Sequence, residues 1–298
     1  YGEWVDSNLV HLADLKIPNI RVQEYTDEER ARLQKAFGYT YEDFKNTIYP
    51  MAEKGAEAIS AMGTDTPLAV LSNSHKPLFN FFKQLFAQVT NPPIDAIREV
   101  VTSTSVYLGK DGNILEEKPE NCHVLKINHP ILTNTDLLKI KNMNVPGLKV
   151  ATLPILYYKN TSMEKALDRL FIEADKLYRD GVNILILSDR GVDENHVAIP
   201  SLLAVSAMQK HLVRTKKRTA VAIILESADP RNVHHFATLL GYGACAVNPY
   251  LAIETIKQMV DSHLLNKDFN AAVDDYNSAI CHGIVKIASK MGVSTIQS

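Results

Sequence analysis

Between about residues 149 and 264, short apolar runs alternate with segments of helical periodicity. The run at 183–188 is apolar almost throughout, as in a parallel strand whose two faces are both covered. Similar runs lie at 149–153, 220–226 and 244–247, and each precedes a segment with apolar residues every three to four positions. The alternation predicts four tandem βα units, which form either half of a barrel or an open doubly wound sheet.

The helices of these units have recognisable terminal residues. Serine and aspartate are good N-caps, proline suits a first helical turn, and glycine often follows a helix end. A last helical zone is predicted from about residue 251 to 290. The predicted terminal residues are Ser162 and Gly181 for the first helix, Pro200 for the second, and Asp229 with Pro230 as the cap and Gly241 as the end of the third.

The first 145 residues are less regular. Thr26 and Glu29 form a capping-box pattern ahead of a helix, and 77–89 has the broad apolar face of another helix. The segment 105–115, with a turn signal at its centre, predicts a hairpin. We therefore predict an α/β chain with a mostly helical portion over 1–145 and a βα-repeat portion over 146–298, integrated into one domain.

Charge and composition exclude several classes of function. The 32 Lys and Arg residues nearly balance the 34 Asp and Glu residues, and a net charge of −2 gives no broad surface for nucleic acid or an anionic membrane. No run approaches the roughly 18 apolar residues of a membrane span. Three scattered cysteines, Cys122, Cys245 and Cys281, do not suit a disulfide framework. We expect a cytoplasmic protein without a nucleic-acid or membrane partner.

Polar residues follow the predicted strands at the positions where parallel α/β folds place their working groups. Asp189 and Arg190 follow the second apolar run, Glu226 ends the third, and Asn248 follows the fourth. One hypothesis makes them a catalytic or flavin-binding site. The alternative is local pairing of Asp189 with Arg190, and of Glu226 with a nearby backbone N–H, because charged strand ends are common without catalysis. Sequence alone leaves both open.

Two other motifs favour structural roles. Gly241, Tyr242 and Gly243 resemble half of a phosphate-binding loop, but they precede a strand, whereas phosphate binding uses a loop that leads into a helix. We interpret them as a helix end and a tight turn. The ten histidines show no pairing at helical metal-ligand spacing, so we assign no metal ligands.

The chain begins with Tyr1 and ends without a helix stop signal or a solvated tail. From these ends we expect a segment of a longer polypeptide.

Several strings, in order along the chain, resemble the central domain of the large subunit of glutamate synthase, which makes two glutamates from glutamine and 2-oxoglutarate. They extend from about residue 60 to the last residues. The strings are AMGTDTPLAVLS at 61–72, FAQVTNPPID at 86–95, PSLLAVSA at 200–207, HHFA at 234–237, GYGA and AVNPY within 241–250, and SKMGVST at 289–295.

The resemblance implies a connecting domain between a glutaminase domain and a (β/α)8 synthase domain that carries FMN and an iron–sulfur cluster. It also implies a half-barrel similar to part of that flavin domain and a role in walling an ammonia channel. The catalytic residues, FMN and the cluster then belong to the full-length enzyme, and this segment has no cofactor or catalysis of its own. Its partners are the two neighbouring domains of the same polypeptide, with an electron-donating subunit or ferredoxin as a further possibility.

Two of the matching strings are rich in turn-forming residues yet resemble the family closely, and we hypothesise that they pack against a neighbouring domain as an interface or channel wall. The candidate residues are Asp65, Thr66, Asn91 and Asp95. The alternative is that they form turns that hold only this domain's own shape, since such residues need no partner.

Overall fold

The computed structural model describes residues 1–61, 63, 73, 76–84, 96–113 and 115–297. Its strands are β1 Val10–His11, β2 Val106–Leu108, β3 Leu125–Ile127, β4 Val150–Pro154, β5 Leu156–Tyr158, β6 Ile184–Ser188, β7 His196–Ala198, β8 Ala222–Glu226 and β9 Ala246–Asn248. Its α-helices are α1 Gly2–Asn8, α2 Asp27–Ala36, α3 Tyr49–Lys54, α4 Ala96–Val101, α5 Asn134–Lys141, α6 Met163–Arg179, α7 Ser201–Arg214, α8 Val233–Gly241, α9 Tyr250–Asp261 and α10 Phe269–Lys290.

Shorter helical segments connect these elements. Four are 3-10 helices and one is a π-helix that leads into α3: Leu12–Asp14, Leu78–Phe82, Pro119–Cys122, Arg218–Ala220 and, for the π-helix, Asp43–Ile48. Within the part of the chain that the structure describes, no helix has the length and apolar character needed to cross a membrane.

A four-stranded parallel sheet in the order β4-β6-β8-β9 forms the centre of the fold. The prediction of tandem βα units and a parallel sheet is confirmed. The order in space follows the order in the chain, as in a barrel segment, whereas a doubly wound sheet reverses its order at a switch point. The structure therefore has the topology of the half-barrel alternative.

Both faces of this sheet are buried. Leu185 and Leu187 lie in the core cluster formed with α6 to α10, while Ile184 and Ile186 lie in a second cluster. The second cluster is formed with α5 and with a small sheet of order β1-β3-β2. Because successive side chains of a strand point to opposite faces, only an uninterrupted apolar run can serve both clusters.

The sheet is extended at its β9 edge by the segment 130–132. Ile131 and Val247 form a parallel bridge, Leu132 N donates to the Val247 carbonyl at 2.9 Å, and Val247 N donates to the Pro130 carbonyl at 2.8 Å. The segment leads directly into α5. The less regular half of the chain therefore contributes to the same sheet as the βα repeats.

The N-terminal predictions have mixed outcomes. The capping box of Thr26 and Glu29 is confirmed at the start of α2. The predicted hairpin is wrong, because β2 pairs antiparallel with β3 and Leu115 lies in an exposed turn. Of the helix predicted over 77–89, the described part forms the short 3-10 helix Leu78–Phe82, and residues 85–89 lie outside the described residues.

The predicted helix ends are mostly confirmed. Ser162 caps α6 and Gly181 follows its C-cap Asp180. Gly241 is the last residue of α8, and Gly243, with φ +116°, lies in the turn before β9. The cap predicted at Asp229 is wrong, because Asn232 caps α8 through a 3.1 Å bond from His235 N. Asp229 instead accepts from Ser201 N at 3.0 Å, at the start of α7.

Two other helix boundaries differ slightly from the predictions. Pro200 is the N-cap of α7, one position before its first residue. The final helical zone is divided into α9 and α10.

Candidate functional site

The four strand-end residues predicted from the sequence lie at one edge of the central sheet. Asp189 and Arg190 follow β6, Glu226 ends β8, and Asn248 ends β9. The hydrogen-bond ladder continues past the strands, with Asp189 N donating to the Glu226 carbonyl at 3.1 Å and Ser227 N to the Asn248 carbonyl at 3.0 Å. Parallel strands bring their carboxyl ends together, and these residues meet for that reason.

Glu226 lies between two cations. Arg190 Nε donates to its Oε1 at 2.5 Å and Lys141 Nζ donates to its Oε2 at 2.8 Å, while the Glu226 side chain is only 3% exposed. Burial raises the pKa of this carboxyl, but the charges of Arg190 and Lys141 outweigh that effect and hold the pKa below its ordinary value. Glu226 is therefore an ionised partner of both cations near neutral pH, a poor state for a proton donor.

Arg190 is also held by two tyrosines. Its Nη1 donates to the Tyr25 hydroxyl at 2.7 Å, and its guanidinium carbon lies 4.0 Å from the centre of the Tyr250 ring. A cation over an aromatic face is attracted by the ring quadrupole, and the contact is stronger when water is excluded. Tyr25 comes from the segment before α2, so the N-terminal portion reaches the sheet edge.

Asp189 is fully buried beside the loop that follows β8. Its Oδ2 accepts from Ser227 Oγ at 2.5 Å, and both of its carboxylate oxygens lie 3.1 Å from Ala228 N. Burial, and then the charge of nearby Asp229, raise the pKa of Asp189 to about 7. This carboxyl therefore changes its charge near neutral pH while remaining hydrogen-bonded.

Asn248 joins the sheet edge to the segment before α5. Its Nδ2 donates to the Leu132 carbonyl and to Asn134 Oδ1, each at 3.0 Å. Its Oδ1 makes no hydrogen bond to a described residue. The side chain therefore holds the 130–132 segment in place against β9.

The geometry brings the predicted residues together and adds two that the sequence analysis missed. Lys141 lies in the last turn of α5 and Tyr25 in an irregular segment, and neither position carries a signal of its own. Among the described residues, no group of three His, Cys, Asp or Glu side chains is placed to hold a metal ion. The predicted pairing of Asp189 with Arg190 is wrong, because Arg190 and Lys141 pair with Glu226 while Asp189 accepts from Ser227 and Ala228.

The second set of predicted residues cannot be placed in the same way. Asp65, Thr66, Asn91 and Asp95 lie outside the described residues.

The fold and this edge define an α/β domain with a sequentially ordered parallel sheet and an internally paired polar edge. The chain belongs to the glutamate synthase central domain family, whose model matches residues 32–298.

The chain is similar along its length to glutamate synthases with different named electron donors. The large chain of the NADPH enzyme of Bacillus subtilis is 46% identical over 100% of this chain and 19% of its own length. The NADH enzyme of Schizosaccharomyces pombe is 42% identical over 88% of this chain and 13% of its own length. Ferredoxin-dependent glutamate synthase 2 of Synechocystis is 40% identical over 100% of this chain and 20% of its own. The chain spans a fifth or less of these relatives.

Among solved structures, a mutant flavocytochrome b2 with benzoylformate aligns with 42% of this chain and 30% of its own at 15% identity. The TM-score of 0.34 is too low to establish a shared fold.

Proposed function

We propose that this chain is the connecting domain of a glutamate synthase polypeptide. In this role it joins a glutaminase domain to a synthase domain that carries FMN and an iron–sulfur cluster, and it helps to wall the path of ammonia between them. The observation that carries the proposal is 46% identity over the whole chain to a glutamate synthase about five times longer. Similarity to NADPH, NADH and ferredoxin enzymes alike leaves the electron donor open.

The polar edge of the sheet supports a structural role for this domain. Arg190 and Lys141 are both paired with the ionised Glu226, so their charge is already neutralised in part. A flavin phosphate needs unpaired cations or free backbone N–H groups. The residues at this edge therefore do not fit the phosphate of FMN, and the proposal places FMN in the neighbouring domain.

A wall for ammonia has a clear physical purpose. Ammonia released into bulk water is protonated and lost to the synthase reaction, so its route must exclude solvent. Asp65, Thr66, Asn91 and Asp95 remain the proposed interface or channel residues, because the two strings that contain them match the family closely.

The experiment measures coupling in the full-length enzyme that carries Asn91→Ala or Asp95→Ala. We expect glutamine hydrolysis to continue while less of the ammonia reaches glutamate, so that free ammonia accumulates. Asn270→Ala and Asp261→Ala are matched controls, because both residues are exposed. Coupling as tight in Asn91→Ala and Asp95→Ala as in the two controls would contradict the proposed interface.

A second candidate function is catalysis by Asp189, Arg190, Glu226 and Asn248, whereas the pairing of Arg190 and Lys141 with Glu226 argues against flavin binding at the same edge. The observation in its favour is the pKa of Asp189 at about 7, because groups that transfer protons are often tuned close to the working pH. Titration of the folded chain with FMN, followed by flavin fluorescence, tests it together with assays of glutaminase and of glutamate formation. Bound flavin or turnover that Asp189→Asn abolishes would favour this function over the connecting role alone.

A further inference from the structure

A cavity of about 270 Å³ lies beside the small sheet and α5, and its lining contains none of Asp189, Arg190, Glu226 and Asn248. Its lining includes Leu12, Ala13, Ile127, Asn128, Leu132 and Asp136, and four residues with basic side chains. They are His11, Lys126, His129 and Lys139.

The strand register explains how two of these side chains come together. His11 and Lys126 are direct partners in the parallel pair of β1 and β3, so they project from the same face of the small sheet. Leu125 and Ile127, on either side of Lys126, are fully buried on the opposite face. His11 and Lys126 therefore share the polar face of the small sheet, and both line the cavity together with Ile127 from the apolar face.

Helix α5 supplies two further lining residues, Asp136 and Lys139. Lys139 and Asp136 are three positions apart on this helix and share a face. Asp136 is the only acidic residue in the lining, and its Oδ2 already accepts from Thr133 N at 3.1 Å and from Thr133 Oγ1 at 2.8 Å. Its carboxylate caps the helix and offsets the charge of one lysine, so the lining keeps a net positive charge.

The two lysines have no anionic partner within the described ranges. No hydrogen bond or ion pair joins Lys126 or Lys139 to another described side chain, although other lysines of the chain, such as Lys217, form ion pairs. The Nδ1 atom of His129 is buried and makes no hydrogen bond to a described residue. The net charge of the chain is −2, yet Lys126, Lys139 and His129 place unpaired nitrogen atoms around one concave site. Such a site is suited to an anion.

We propose that this cavity binds a small dianion, a phosphate or a short dicarboxylate, between Lys126 and Lys139. Charge-assisted hydrogen bonds to an oxyanion are roughly twice as strong as neutral ones, and the lining offers two ammonium groups, Lys126 from β3 and Lys139 from α5, to a ligand with two negative charges. His11 and His129 complete the lining with further nitrogen atoms. The site is independent of the proposed connecting role.

Isothermal titration of the 298-residue chain with inorganic phosphate and, separately, with succinate tests the proposal. Ionic strength is held constant with sodium chloride, since simple screening otherwise mimics weak binding. We expect saturable binding of at least one of the two dianions, and a dissociation constant about tenfold higher in Lys126→Gln and in Lys139→Gln, which corresponds to about 1.4 kcal/mol. Phosphate alone, succinate alone or both would each support the site and identify its preferred oxyanion.

Lys35→Gln is the matched control, because Lys35 is exposed on α2 and the substitution removes the same charge. It should bind as the unsubstituted chain does. A lack of saturable binding by the folded chain would overturn the proposal, and so would equal weakening in Lys35→Gln and Lys126→Gln. Circular dichroism and thermal melting without ligand identify any variant that has lost its fold, and the other lysine variant then decides the result.

Discussion

The two charged regions of this chain differ in whether their charges are paired. At the carboxyl edge of the central sheet, Glu226 is almost fully buried and contacts both Arg190 and Lys141. At the cavity beside α5, Lys126 and Lys139 are only partly buried and have no ionic partner among the described residues. A buried charge is costly without a partner, whereas a hydrated one is not. The pairing at the edge therefore stabilises the fold, whereas the two lysines at the cavity remain available to the proposed ligand.

The largest expected effect comes from breaking the pairing at the edge. Glu226→Gln keeps the shape of the side chain but leaves Arg190 and Lys141 close together without their shared carboxylate. We expect the free energy of unfolding to fall by about 3 kcal/mol, because removing one partner strands a largely buried charge. Chemical denaturation at pH 7 measures it.

Glu173→Gln is the comparison for that experiment. Glu173 pairs with Lys176 on the exposed surface of α6, where such pairs contribute about 0–1 kcal/mol. If Glu226→Gln and Glu173→Gln lowered the free energy of unfolding equally, the ion pairs of Glu226 would contribute no more than an exposed ion pair.

The second prediction concerns the pH dependence of stability. The carboxyl of Asp189 has a pKa of about 7 in the folded chain and about 3.9 when unfolded, so between these values only the folded chain holds the proton. Its contribution to stability is complete below about pH 4 and is lost as the pH rises through 7. The chain should lose about 1.4 kcal/mol of unfolding free energy between pH 6 and 8 from this group, and Asp189→Asn should remove that loss.

Asp193→Asn provides the contrast. Hydrogen bonds from the backbone N–H of Asn195 and from His196 hold the pKa of Asp193 at about 2, so its contribution is present above pH 4 and is lost only in acid. Removing the Asp193 carboxylate should therefore leave the loss of unfolding free energy between pH 6 and 8 unchanged. A decline between pH 6 and 8 that persists in Asp189→Asn would show that another group causes it.

Removing the N-cap of α8 should cost less stability than breaking the buried ion pairs at the sheet edge. Asn232→Ala removes the side chain that accepts from His235 N at the start of α8. The expected loss is about 1 kcal/mol, the usual value for an N-cap, and thermal or chemical unfolding detects it. A loss as large as that in Glu226→Gln would mean that the loop after β8 depends on Asn232 for more than the cap.

The smallest effect is expected at the cavity. Lys126→Gln should change the free energy of unfolding by less than about 0.5 kcal/mol in the absence of ligand, because Lys126 has no ionic partner among the described residues to lose. Chemical denaturation in chloride alone is the measurement. A loss above about 1 kcal/mol would show that Lys126 stabilises the fold. The distinction between paired charges at the sheet edge and unpaired lysines at the cavity would then be weaker.

The sequence predicts the central sheet well because the pattern that makes a strand is contained in a short stretch of the chain. A strand such as β6 that is buried on both faces must be apolar at every position, and that pattern is visible in the chain itself. The meeting of Asp189, Arg190 and Glu226 follows from the parallel sheet alone. Lys141 and Tyr25 were missed because their positions depend on packing between distant parts of the chain.

The predicted hairpin was wrong for the same reason, because strand pairing also depends on contacts between distant parts of the chain. The turn signal near Asp111 is local, but the partner of β2 is β3, which follows after an intervening 3-10 helix. Competition between possible partners is decided by the tertiary structure, here by the apolar cluster that Val106 and Leu108 share with β3. The cap at Asp229 was misassigned for a similar reason, since its carboxylate reaches the start of α7.

The segment 130–132 has a consequence for the order in which the chain folds during synthesis. It supplies the neighbour of the last strand of the sheet, and Asn248 and Leu132, which hydrogen-bond to each other, are 116 positions apart. The ribosome therefore releases this segment long before its partner exists, and closing so long a loop has an entropic cost. The sheet can be completed only when β9 has emerged. At that moment β8 and the segment 130–132 have both been synthesised, so both sides of β9 can be paired at once and neither is left open to aggregation.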